Sequence, residues 1–146
     1  MIALDTNVFV YAVGRGEPEK CARAVAVLRR TAPASSLVAL QVLSEFLNVC
    51  RQKHVLDVQA ARTRVAEWVA VYKLVSTRPE DILAASRLSE RYDLQVFDAL
   101  ICAVSRAADA TVLLSEDMHD GLDMDGLVVL NPFNPANDAR IEAALG

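Results

Sequence analysis

Short unbroken aliphatic runs alternate along the chain with longer stretches in which apolar residues recur every three or four positions. The runs are Ile2-Ala3-Leu4, Leu37-Val38-Ala39, Lys73-Leu74-Val75-Ser76, Thr111-Val112-Leu113-Leu114 and Leu127-Val128-Val129-Leu130. Each is too short for a helix and stops at a polar or turn-forming residue, so each predicts a strand. Between them the spacing predicts helices over 6–13, 18–30, 41–53, 57–71, 79–92 and 98–108. Gly14, Gly16 and Pro33 act as breakers, and Pro79-Glu80-Asp81 makes a favourable acidic helix start. Val42, Leu43, Phe46, Leu47, Val49 and Cys50 share one helical face, as do Val58, Ala61, Val65, Trp68 and Tyr72. Trp68 reads as core filler or as part of an interface. Aliphatic strands separated by helices predict an α/β protein with a mainly parallel central sheet. In such sheets ligands meet the crevice beyond the carboxyl ends of the strands.

Composition narrows the class. The 146 residues are 53% hydrophobic and 23% charged, with 5 Gly and 5 Pro, which excludes disorder and low complexity and predicts a single domain over 1–146. No stretch approaches the roughly 20 apolar residues of a membrane span, and no basic region precedes Asp5 as in a signal peptide. Three cysteines without a CxxC pair, Cys21, Cys50 and Cys102, read as buried free thiols in a reducing cytoplasm. The net charge is −4, whereas bulk attraction to nucleic acid calls for a basic chain. A nucleic-acid role would therefore rest on a local basic patch, on metal ions or on a basic partner. Arg15, Arg51, Lys53 and Arg78 are loose candidates for phosphate contacts.

The candidate chemistry lies in the acids. Asp5 directly follows the first strand, where a carboxylate buried without a donor, a helix end or a cation is costly. Helix capping would explain it alone. Glu45 falls about 40° outside the apolar arc of its helix, within reach of the sheet's edge. Asp98 interrupts the apolar run from Val96 to Ile101, and Asp117 follows the strand ending at Leu114. A cap, a flanking ion pair or a solvated acidic loop accounts for each acid singly, and Asp123 and Asp125 fit the loop. Together, four carboxylates at one end of a sheet would raise one another's pKa unless something positive sat between them. An oxygen-only set suits Mg²⁺ or Mn²⁺, and His54 and His119 read as surface residues.

Five segments complete the picture: Asp5-Thr6-Asn7-Val8, Ser44-Glu45-Phe46, Phe97-Asp98-Ala99-Leu100-Ile101, Leu114-Ser115-Glu116-Asp117 and Leu130-Asn131-Pro132-Phe133. In this order and spacing they resemble a PIN-domain protein, and more narrowly the VapC-type ribonuclease toxins of bacterial toxin–antitoxin pairs. The resemblance runs from the first strand to the last. It implies a three-layer α/β/α domain and a Mg²⁺-dependent endoribonuclease of the cytoplasm, with Mn²⁺ as a substitute. Asp5 and Asp98 would be the main metal ligands, Glu45 and Asp117 would complete the acidic quartet, and Thr6 and Ser115 would support it by hydrogen bonds. RNA would be the substrate, a VapB-like antitoxin and a second copy of the chain the partners. In many relatives an Asp-Phe pair follows the last Ser/Thr, whereas here Asp120 precedes Gly121, so Asp117 and Asp120 compete for the fourth place.

Two other functions fit parts of the pattern. A haloacid-dehalogenase-like phosphatase, another Mg²⁺-dependent phosphoryl-transfer enzyme, would need Asp-x-Asp after the first strand, but Asn7 stands at the second position. A non-enzymatic module of the same fold would use its acidic end to dock a basic protein.

Overall fold

The structure, a computed structural model, describes residues 1–34 and 36–146. Its centre is a six-stranded sheet: β1 (Ile2–Leu4), β2 (Leu37–Ala39), β3 (Lys73–Val75), β4 (Val112–Leu114), β5 (Asp123–Met124) and β6 (Leu127–Leu130), in the order β3-β2-β1-β4-β6-β5. All pairings are parallel except β5 with β6. The helices are α1 (Thr6–Ala12), α2 (Pro18–Thr31), α3 (Leu40–Lys53), α4 (Val58–Val71), α5 (Pro79–Tyr92), α6 (Val96–Ala107) and α7 (Asp138–Leu145), the last preceded by a 3₁₀ turn over Pro135–Asn137. α1 packs on α2 and α3, α3 packs on α4, and α5 pairs with α6, completing three α/β/α layers.

The chain winds outward from β1 through β2 to β3, then returns to place β4 on the other flank of β1. The strand order therefore reverses between β1 and β4, and that is where a crevice opens in a parallel sheet. Short strands suffice because they are covered on both faces: Ile2, Leu4, Leu37, Leu113, Leu114 and Leu130 are fully buried. Phe9 lies 4.6 Å from Trp68 and Phe46 4.7 Å from it, ring centre to centre, so Trp68 belongs to the core. Such aromatic pairs add about 0.5–1.5 kcal/mol each beyond the area they bury.

The structure departs from the sequence pattern in four places. α6 begins at Val96 rather than Asp98, because Val96 and Phe97 are exposed first-turn residues and not core. The acidic stretch after β4 holds the short strand β5. Asp125 and Gly126, both with positive φ, make a two-residue turn into β6, and Asp123 accepts from the Gly126 N–H at 2.8 Å. Asp-Gly is the residue pair such a turn favours, because both positions need the left-handed region. α7 was not legible either; Arg23 and Arg30 of α2 form ion pairs with its Asp138 and Glu142, and Ile141 is buried. Cys50 and Cys102 are buried, but Cys21 is half exposed, hydrogen-bonded to the Arg15 carbonyl near the start of α2. Among the described residues no helix is long and apolar enough to cross a membrane.

Candidate active site

Asp5 sits at the reversal point. Its N–H extends the β1–β4 ladder by one bond to the Leu114 carbonyl at 3.0 Å, and α1 starts at the next residue. One carboxylate oxygen accepts from the Thr6 N–H at 2.7 Å and the other from the Ser115 hydroxyl at 2.6 Å. Asp5 thus caps α1, yet capping alone would hold a carboxyl low. Here burial, joined by the charges of Asp98 and Asp117, outweighs both hydrogen bonds and raises the pKa to about 6.

The other acids arrive from three elements. β2 runs into α3 without a loop, which puts Glu45 one turn above the strand end. Its two oxygens accept from the Thr6 hydroxyl at 2.8 Å and the Gln41 amide at 2.7 Å. Asp98 stands in the first turn of α6, where the helix dipole favours its anion. Its carboxyl is nevertheless pushed up, first by burial and then by Asp117 and Glu45, with no hydrogen bond opposing them. Asp117, beyond β4, accepts from the Asn7 amide at 3.0 Å, and its N–H donates to the Ser115 hydroxyl at 3.2 Å. Asp98 and Asp117 share the wall of a cleft of about 380 Å³ with Asp93, Leu94, Gln95 and Met118. Behind them the Cys102 thiol, 3.5 Å from the Met118 sulfur, is driven up to about 12 by burial and by Asp5 and Asp98.

The structure therefore brings Asp5, Glu45, Asp98 and Asp117 to one end of the sheet, with Thr6 and Ser115 between them. Asp120 is elsewhere. It accepts from the Asn131 N–H and from the Asn134 and Asn137 amides, all at 2.9 Å, fastening the C-terminal segment. Burial works to raise its pKa, but those donors and Arg140 outweigh it and hold the carboxyl low. Of the competitors for the fourth place, only Asp117 faces the others. His54 and His119 are exposed. None of Arg15, Arg51, Lys53 and Arg78 lines the acidic cleft; Arg78 caps α5 with Asp81 at 3.1 Å, beside a separate groove between α5 and α6. Sequence reasoning gave Asn7 no role and missed Gln41. The signals were an amide two residues after Asp5 and another four residues before Glu45, one helical turn away.

Only neutral donors touch the quartet's oxygens in these hydrogen bonds, and neighbouring carboxylates help to raise the pKa of Asp5 and of Asp98. All-oxygen donors with unbalanced negative charge fit a hard divalent cation. The Asn7 and Gln41 side-chain oxygens are further acceptors there, buried without a partner. Among the described residues, no three Asp, Glu, His or Cys side chains converge closely enough to ligate one ion as they now stand.

The family profile of the PIN domain matches residues 2–119. No curated protein matches the chain significantly. Solved structures share the fold at low identity. VapC20 of Mycobacterium tuberculosis, a Sarcin-Ricin loop cleaving toxin, is 19% identical with a TM-score of 0.66 over 80% of this chain and 92% of its own. A toxin–antitoxin complex from Klebsiella pneumoniae is 18% identical with a TM-score of 0.67, covering 91% of this chain and 98% of that one. VapBC2 of Rickettsia felis, bound to a DNA fragment from its promoter, is 16% identical with a TM-score of 0.64, covering 90% and 98%. With its acids at the β1–β4 reversal and the family profile spanning most of its length, the chain belongs to the PIN domain family.

Proposed function

We propose that this chain is a metal-dependent endoribonuclease and the toxin of a type II toxin–antitoxin pair. The observation that carries the reading is the gathering at one end of the sheet of four carboxylates from four elements, with no neutralising cation among their hydrogen-bond partners in the described residues. Asp5 and Asp98 hold Mg²⁺, or Mn²⁺ in its place, and Glu45 and Asp117 complete the set. A divalent ion bound there lowers the pKa of water and offsets charge on the leaving oxygen of a phosphodiester. It also reconciles an anionic substrate with a chain of net charge −4.

The chain's own residues hold the carboxylates in place. Ser115 and the Thr6 N–H fix Asp5, the Thr6 hydroxyl and Gln41 fix Glu45, and Asn7 fixes Asp117. RNA is the substrate, in keeping with the RNA-cleaving structural relative. The antitoxin partner is supported by the toxin–antitoxin complexes that share the fold. The exposed Leu40, Val96 and Phe97 suit contact with that partner or with a second copy of the chain in a cytoplasmic homodimer.

The test is cleavage of RNA by the purified protein. Strand scission should require Mg²⁺ or Mn²⁺, stop with EDTA, and vanish in Asp98→Asn. Scission that survives EDTA overturns the metal mechanism, and a fully active Asp98→Asn overturns the residue assignment.

A further inference from the structure

Gln41 places a side-chain amide between α3 and α6. It sits in the first turn of α3, and the same amide group donates twice: to Glu45 at 2.7 Å and to the Phe97 carbonyl of α6 at 3.0 Å. The reverse amide orientation would set its oxygen against two acceptors, so the hydrogen-bond pattern fixes which end faces the site. That orientation leaves the Gln41 oxygen buried with no partner among the described residues. A buried unsatisfied group costs about 1–3 kcal/mol, and its presence in a folded protein calls for a reason.

The reason lies in how the quartet is joined. Asp5 and Glu45 are connected through Thr6, whose N–H serves the first and whose hydroxyl serves the second. Asp5 and Asp117 are connected through Ser115. Asp98 has no such link. Its carboxylate is half-buried beside the like charges of Asp117 and Glu45. Gln41 supplies the missing tie one residue away, joining the Glu45 carboxylate to the backbone of the turn that carries Asp98. A methionine there would fill the space and avoid the orphaned oxygen, but would leave that turn untied.

Building on the nuclease reading above, we infer that Gln41 is a positioning residue, a strut that holds the Asp98 turn of α6 against Glu45 so that a divalent cation meets both carboxylates together. A merely structural glutamine would move the melting temperature and the cation affinity together, whereas a strut moves the affinity alone. Gln41→Met removes the orphaned oxygen but also takes a donor from Glu45 and from the Phe97 carbonyl, two changes that offset each other, so in EDTA it should melt at about the wild-type temperature. Its affinity for Mn²⁺, titrated calorimetrically, should nonetheless fall about tenfold, the usual scale for residues that orient metal ligands. At saturating RNA its cleavage rate should fall while KM stays at the wild-type value.

Mn²⁺ affinity within twofold of wild type overturns the strut, and so does a melting temperature that falls in step with the affinity. Should Gln41→Met fail to fold, Gln41→Ala decides by the same melting curve and Mn²⁺ titration. A wild-type protein that binds no Mn²⁺ and cuts no RNA removes the nuclease reading itself. Wild-type binding with an unaltered variant removes only the role of Gln41.

Discussion

Asp5 is held by two hydrogen bonds and still rises to a pKa of about 6 from 3.8, so the folded chain keeps a proton there that the unfolded chain has released between these values. A group raised on folding contributes its stability fully below the unfolded pKa and loses it as pH rises through the folded one. In EDTA, the wild-type protein should therefore lose stability between about pH 4 and pH 6, by on the order of 3 kcal/mol from this group. Asp5→Asn should lack that slope and be the more stable protein at pH 7, while losing cleavage. Urea unfolding of both proteins across that range checks it, and parallel curves would show that Asp5 is not desolvated as described. The residue scale is also where sequence reasoning reached furthest. Asp5 and Asp117 follow aliphatic strands that any reading places at one end of a parallel sheet. Asn7 and Gln41 escaped because a neutral amide disturbs no hydrophobic pattern, and its value appears only once its acceptors are in place.

At the scale of elements, Asp117 and Asp120 differ in what each helps to fasten. Asp117 meets α1 through Asn7, whereas Asp120 binds the segment from Asn131 to Asn137 that leads into α7. Asp120→Ala would strand those donors and should destabilise the fold by about 2 kcal/mol or more. The Asp120 carboxyl lies low, so its contribution should hold above the ordinary carboxylate range and fade as pH falls through the folded value. The folded variant should still bind Mn²⁺. Asp117→Ala should do the opposite, keeping stability and losing affinity, and melting curves beside Mn²⁺ titrations separate the two. A stable Asp120→Ala that no longer binds Mn²⁺ would reverse the assignment. The main strands and most helices were legible because aliphatic runs and 3.6-residue periodicity are local. β5 was obscured by the acids around it, although Asp125-Gly126 announced its turn. α7 depends on Arg23 and Arg30, more than a hundred residues away in sequence.

For the whole molecule, a cation that binds only the folded chain must stabilise it by mass action. Mn²⁺ should raise the melting temperature of the wild type at pH 7.5, raise it less at pH 5.5 where protons compete for Asp5, and leave Asp5→Asn nearly unmoved. Equal shifts at both pH values would separate cation binding from the buried carboxylate. The −4 charge belongs to this scale too: composition says that bulk attraction does not hold RNA, but only the fold shows the acids gathered where a cation could reverse the local sign.

The most direct measurement is a calorimetric titration of Mn²⁺ into the wild-type protein, Asp5→Asn and Asp98→Asn at pH 7.5. Saturable binding to the wild type that is lost or greatly weakened in both variants is the predicted result. Equal binding by all three proteins, or none by the wild type, would contradict a divalent site built from these acids.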